Sequence, residues 1–145
     1  MRPDESPKDV PPGEAYLLDS GALLAYLLDA PGASKVERLL RQSEQGQARV
    51  MISAVDLHEL YSRVTRLGGQ EAFAEASYVI RQLPLQVLPF GRDEVEEIGE
   101  LAYGCGGLDQ KPCGSVVAHY YCRQHGWTLV TAGTGSESGV LVVTL

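Results

Sequence analysis

Two acidic residues of this sequence lie where a carboxylate could bind a metal ion or act as a general base. Asp19 comes directly after the apolar run 15–18, and Glu59 lies two turns into a later stretch with a helical pattern. Hard divalent cations prefer carboxylate oxygens, and a carboxylate can also accept a proton. Each residue has a structural alternative: Asp19 can cap the helix that follows it, and Glu59 can pair with Arg63 on a helix surface.

A predicted alternation of strands and helices would position these acids. Short apolar runs predict five strands, at 15–18, 49–52, 85–88, 128–131 and 140–145. Apolar spacing of three and four residues, together with Gly or Pro at the ends, predicts six helices, at 21–28, 34–45, 53–67, 70–83, 93–103 and 115–124. This alternation predicts an α/β fold: a single domain with a mainly parallel central sheet flanked by helices.

The residues directly after the predicted strands are the candidate site residues, because parallel sheets bind ligands beyond the carboxyl ends of their strands. They are Asp19, the turn at 53–59 that leads to Glu59, the start of the helix at Ser115, and Gly133. We predict that Asp19 and Glu59 converge at this edge of the sheet. We also predict that Ser115 and Gly133 face the same pocket.

Two serines are predicted to begin helices. Ser53, with Asp56 three residues later, resembles a capping box, in which the two side chains satisfy backbone N–H groups of the first turn. Ser115 is predicted to cap the helix at 115–124, because Ser and Asp are comparable N-caps.

Composition narrows the class of protein. The 145 residues carry 12 Lys and Arg against 19 Asp and Glu, a net charge of −7. An acidic chain argues against tight nonspecific binding to nucleic acid, which depends on cations that neutralise phosphates. Three cysteines with no C-x-x-C pair are interpreted as reduced thiols that fill small apolar spaces.

The chain is predicted to consist of a flexible tail and one domain. Residues 1–14 are rich in Pro and charge and have no periodicity, so they are interpreted as a flexible N-terminal tail, and residues 15–145 as the domain. No apolar run approaches the roughly 20 residues that a membrane span needs, and the start lacks the apolar segment of a signal peptide. We therefore expect a cytoplasmic protein with no membrane partner.

Three stretches of the sequence resemble the PIN domain. "YLLDSGALLAYLLDAPGASKVERLL" is similar to its opening strand, acid and helix, and "VMISAVDLHELYSRVTRLGG" to its second motif, in which a strand leads into a helix that carries a Glu. "GSVVAHYYCRQHGWTLVTAG" has the form of the third and fourth motifs. The resemblance covers roughly residues 15–145 and matches four motifs in order.

The resemblance implies a metal-dependent nuclease. PIN domains include the VapC-type toxins of bacterial toxin–antitoxin pairs, and their site is a cluster of acids, usually four. Such a cluster holds Mg²⁺ or Mn²⁺, which activates a water molecule and stabilises charge on the phosphate. Here the resemblance assigns Asp19 and Glu59 as the retained acids and metal ligands, whereas Ser115 and Gly133 stand where the third and fourth acids are expected.

The missing acids favour impaired or absent nuclease activity with retained binding. Loss of one catalytic electrostatic group can cost roughly 10²–10³ in rate, and two are replaced here. The implied partners are RNA, an antitoxin-like protein, and a second copy of the chain in a homodimer formed through apolar helix faces such as that of 21–28.

Two other interpretations stay open. Asp56 or Asp109 could act as a substitute ligand, which would make the protein an active Mg²⁺- or Mn²⁺-dependent ribonuclease of a toxin–antitoxin pair. The Gly-rich segment 133–139 could instead bind a nucleotide in a regulatory module, although a strand rather than a helix is predicted to follow it.

Overall fold

The computed structural model describes residues 14–104, 113–132 and 140–144. Five strands and five helices cover these residues, in the order β1 (Ala15–Leu18), α1 (Ser20–Leu27), α2 (Ala33–Glu44), β2 (Arg49–Ser53), α3 (Ala54–Arg81), β3 (Gln86–Leu88), α4 (Arg92–Gly104), α5 (Cys113–His125), β4 (Thr128–Ala132) and β5 (Val140–Thr144).

The strands form one sheet in the order β3-β2-β1-β4-β5. β1 pairs in parallel with β2 and β4, β2 pairs in parallel with β3, and β5 runs antiparallel to β4. The predicted α/β fold with a mainly parallel sheet flanked by helices is therefore confirmed. We call the edge where β1, β2 and β4 end the carboxyl edge, and the edge where they begin the amino edge.

The core lies on both faces of the sheet, because successive strand residues point to opposite sides. Leu17, Met51 and Leu129 pack with α4 and α5 on one face. Their chain neighbours Leu18, Ile52 and Val130 pack with α1, α2 and α3 on the other. The sheet is thus covered on both sides, and the acidic residues of interest lie at its carboxyl edge.

The helices predicted at 53–67 and 70–83 form one element, α3, with a kink at Gly69. The backbone there has φ 72° and ψ −162°, a conformation that essentially only glycine adopts. Tyr61 and Phe73 meet edge to face across the kink, with ring centroids 4.9 Å apart. The predicted break is present, and α3 resumes at once because Ala76 and Ile80 continue the buried face.

The start of α5 differs from the prediction. The helix begins at Cys113, so Ser115 is its third residue and the prediction that Ser115 caps the helix is wrong. Cys122, in the same helix, is buried, and burial raises the pKa of its thiol to about 12. This confirms that Cys122 acts as a small apolar filler.

Several predictions fall outside the described residues. They concern most of the tail at 1–14, the loop that contains Asp109, and the segment 133–139 that begins with Gly133. Within the described part of the chain, no helix combines the length and apolarity needed to cross a membrane.

Candidate functional site

Asp19 joins three elements at the carboxyl edge. Its backbone N–H donates to the carbonyl of Val130 in β4 at 3.0 Å, which fixes the end of β1. Its Oδ1 accepts from the backbone N–H of Ala22 at 2.8 Å, so Asp19 is the N-cap of α1. Its Oδ2 accepts a hydrogen bond from the hydroxyl of Thr131. The capping alternative for Asp19 is therefore confirmed, and both carboxylate oxygens have protein partners.

Asp56 is the most deeply buried acid of the region, with 1% of its surface exposed. Its Oδ1 accepts from the backbone N–H of Ser20 at 3.2 Å, and its Oδ2 accepts from the hydroxyl of Ser53 at 3.1 Å. The N–H of Asp56 donates in turn to Ser53 Oγ at 3.0 Å. The predicted cap by Ser53 is confirmed, and the carboxylate of Asp56 faces inward rather than toward solvent.

The charges of two acids act on a third, buried acid at this edge. Burial raises the pKa of Asp56 to about 7. The hydrogen bonds from Ser20 and Ser53 lower the pKa, whereas the nearby charges of Asp19 and Glu59 raise it further. Glu59 is half-buried, one helical turn after Asp56. The two acids predicted to converge thus lie within electrostatic reach of the same buried carboxyl group.

The corner between α1 and β4 leaves no room for a side chain at Gly21. A Cβ atom built there would lie 3.0 Å from Cβ of Ala132 and 3.5 Å from Oδ1 of Asp19. The close approach brings the first turn of α1 against the end of β4 and keeps Asp19 within reach of Thr131. A larger residue at this position would require Ala132 to shift by a few tenths of an ångström.

The structure places the other predicted site residues only in part. Ser115 lies in the first turn of α5, and Gly133 and Asp109 lie outside the described residues. Their convergence on one pocket with Asp19 and Glu59 stays a prediction.

The described residues supply only part of the donor set that a divalent metal ion needs. Mg²⁺ requires near-octahedral oxygen ligands, usually including one or two carboxylates. Here the four oxygens of Asp19 and Asp56 all accept protein hydrogen bonds. Among the residues that the structure describes, no group of three or more His, Cys, Asp or Glu side chains could hold a metal ion.

Sequence reasoning missed two groups of this region. Thr131, which donates to Asp19, was seen only as part of the end of a strand. The second group is the backbone N–H of Ser20, which donates to Asp56. A Thr two residues before the expected position of the fourth acid is the available signal for the first group. No local signal exists for the second, because its partner lies 36 residues away.

Comparisons with known proteins agree with this architecture. A family model described as the PIN domain matches residues 16–136. A search of curated protein sequences gives no match. Among solved structures, the chain is similar to VapBC2 of Rickettsia felis bound to a DNA fragment from its promoter, with 18% identity over 82% of this chain and 88% of that chain and a TM-score of 0.60.

A second similar structure is VapC20 of Mycobacterium tuberculosis, a toxin that cleaves the sarcin-ricin loop. The identity is 17% over 84% of this chain and 91% of that chain, and the TM-score is 0.54. At these identities, the similarity to both solved structures shows the fold.

Proposed function

Because this chain belongs to the PIN domain family, we propose that it is a toxin-type PIN domain whose metal-dependent ribonuclease site is degenerate. In this proposal the nuclease activity is impaired or absent, and binding to RNA or to an antitoxin-like protein is retained. The protein is proposed to act in the cytoplasm and to form a homodimer.

The composition of the carboxyl edge carries the proposal. Of the four acids that the family pattern expects, Asp19 and Glu59 are present, and Ser115 and Gly133 replace the others. Asp19 is engaged in capping α1 and in accepting from Thr131. Two carboxylates in place of four are a poor donor set for a cation that gives up its water reluctantly.

The proposed partners follow from the fold and from its solved relatives. One of the similar structures is VapBC2 bound to a promoter DNA fragment, and the other is a toxin that cleaves the sarcin-ricin loop. We propose RNA and an antitoxin-like protein as the partners of this chain. In the predicted helix at 21–28, Ala22 and Leu23 are fully buried in the core, whereas Leu28 is 58% exposed. The homodimer contact is therefore proposed to use the exposed apolar residues of this region rather than Ala22 and Leu23.

The alternative, an active ribonuclease, needs a substitute ligand. Asp56 is poorly placed for that role because its carboxyl group faces inward and the residue is only 1% exposed. Asp109 remains as the substitute in that alternative. A titration with Mn²⁺ separates the two functions.

The test combines calorimetry with a ribonuclease assay on the intact chain. We expect no micromolar binding of Mn²⁺ to the parent, and no RNA cleavage that depends on added Mn²⁺ and is abolished by EDTA. Micromolar binding that disappears in Asp19→Ala would contradict the degenerate site. If Mn²⁺ binding is also lost in Asp109→Asn but not in the exposed control Asp93→Asn, the alternative is established.

A further inference from the structure

We infer that Asp56 is a positioning residue: its inward-facing carboxyl group ties the first turn of α1 to the first turn of α3, and thereby sets the separation of Asp19 and Glu59. The inference deepens the proposed function, since it concerns the same acidic site. It reassigns a residue that was a candidate metal ligand on sequence grounds.

The hydrogen bond from Ser20 to Asp56 is the connection that performs this role. It joins two groups 36 residues apart in the sequence, at 3.2 Å, inside the protein. Ser20 directly follows Asp19 in the chain, and Asp56 precedes Glu59 by one helical turn. A fixed distance from Ser20 to Asp56 therefore restricts the distance between the two partly exposed acids.

We call Asp56, with its hydrogen bonds to Ser20 and Ser53, the clamp. Ser53 binds the other oxygen of Asp56 and so orients the carboxyl group. Its hydroxyl donates to Oδ2 while its oxygen accepts from the N–H of Asp56. The two bonds fix the carboxyl group against the end of β2, with Oδ1 directed at α1. Since β2 and β1 are paired in the sheet, the clamp connects the helix starts to a rigid support.

The cost of this acid supports a specific role. A buried carboxyl group beside two other acids is unfavourable in its charged form. A neutral side chain without an acceptor would avoid the repulsion but would leave the N–H of Ser20 unpaired in the interior, which is also costly. Asp56 supplies an acceptor for this N–H, and an apolar residue could not.

Two neutral substitutions, matched in charge, test the clamp by NMR on the intact, metal-free chain. Asp56→Asn keeps an acceptor for Ser20, and Asp56→Ala removes it. We expect amide exchange at Ser20 to be about tenfold or more faster in the Ala variant than in the Asn variant, beyond any change at Leu40 in the core, which reports global opening. We also expect the carboxyl carbon resonances of Asp19 and Glu59 to differ between the two variants.

Equal exchange at Ser20 and equal Asp19 and Glu59 resonances in the two variants would overturn the inference, since Asp56 would then only fill space. If Asp56→Ala does not fold, a through-hydrogen-bond coupling between the Ser20 nitrogen and the Asp56 carboxyl carbon decides in the parent: its presence supports the clamp and its absence contradicts it. A shift of the Asp56 resonance on addition of diamagnetic Mg²⁺, larger than any shift at Asp19 or Glu59, would make Asp56 a ligand instead. None of the clamp measurements in metal-free protein depends on whether the nuclease site is degenerate.

Discussion

The two edges of the sheet differ in the interactions that their polar residues make. At the amino edge, Trp127 precedes β4, and the guanidinium of Arg49 lies 5.2 Å from its ring centroid. His125 stacks on the same ring at 4.3 Å, and Nε of Arg49 donates to Gln86 at 3.0 Å. At the carboxyl edge, the charges of Asp19 and Glu59 act on Asp56, which is fully buried.

The amino edge contributes to the stability of the fold, whereas the carboxyl edge opposes it. Stacking and cation–π contacts at the amino edge are favourable without any accumulation of like charge. The carboxyl edge accumulates negative charge around a buried acid, which destabilises the fold. Strongly perturbed acids of this kind concentrate at functional sites. The perturbed carboxyl group of Asp56 at the carboxyl edge supports the proposal that a functional site lies there.

The largest effect is expected at the amino edge. Trp127→Ala removes a ring that is 8% exposed and contacts Tyr121, His125 and Arg49. We expect a loss of about 3–5 kcal/mol in the free energy of unfolding, from lost burial and the cavity left behind. Urea denaturation measures it, and a loss below about 1 kcal/mol would contradict a stabilising amino edge.

At the carboxyl edge, by contrast, we expect a substitution of Asp56 to raise the free energy of unfolding at alkaline pH. The pKa of Asp56 is raised from 3.8 to about 7 in the folded protein, so between these values the folded state holds a proton that the unfolded state has lost. Stability therefore falls as pH rises through this window, and the full penalty is present above pH 7. Asp56→Asn removes the penalty and retains the acceptor for Ser20.

We expect Asp56→Asn to stabilise the protein on the order of 2–4 kcal/mol at pH 8 and by roughly a third as much at pH 5, where only part of the window between the two pKa values has been crossed. Urea denaturation at both pH values measures the difference. Glu71→Gln, at an exposed position of the same helix, is the control and should show little change at either pH. Equal effects of Asp56→Asn at the two pH values would refute the electrostatic account.

A smaller loss is expected from crowding the corner at Asp19. Gly21→Ala places a methyl group 3.0 Å from Cβ of Ala132, so α1 or β4 must shift, at a cost of about 1–3 kcal/mol. Gly99→Ala is the matched control, because a Cβ there meets nothing within 4 Å in α4, and it should stabilise by roughly 0.4–1 kcal/mol. Melting temperatures that move in the same direction would show that the corner is not tight.

The smallest effect concerns the hydrogen bond between Thr131 and Asp19. Thr131→Val keeps the shape of the side chain and removes the donor, for an expected loss of about 1 kcal/mol. Thr65→Val is the control, since its hydroxyl bonds only the carbonyl of Tyr61 in an exposed part of α3. Chemical denaturation that finds equal losses for the two variants would remove any special role for the Asp19 contact.

Local signals in the sequence account for the parts that were predicted correctly. The apolar run before Asp19 and the spacing of Ser53 and Asp56 specify a strand end and a helix cap within a few residues. Gly68 and Gly69 likewise mark the break in α3 by a signal that lies at the break itself. The burial of Asp56 could not be predicted, because it depends on Ser20 in an element that only the folded sheet brings close.

Thermal melts with and without Mn²⁺ test the central claim most directly, on the parent and on the double variant Ser115→Asp, Gly133→Asp. If two missing carboxylates are what disables the site, the parent should show little response. The double variant should lose stability without metal and regain about 2.7 kcal/mol at a hundredfold excess of Mn²⁺ over its dissociation constant. The isosteric control Ser115→Asn, Gly133→Asn should not respond. A large Mn²⁺-dependent shift in the parent, or a folded double variant with no shift, would contradict the degenerate site.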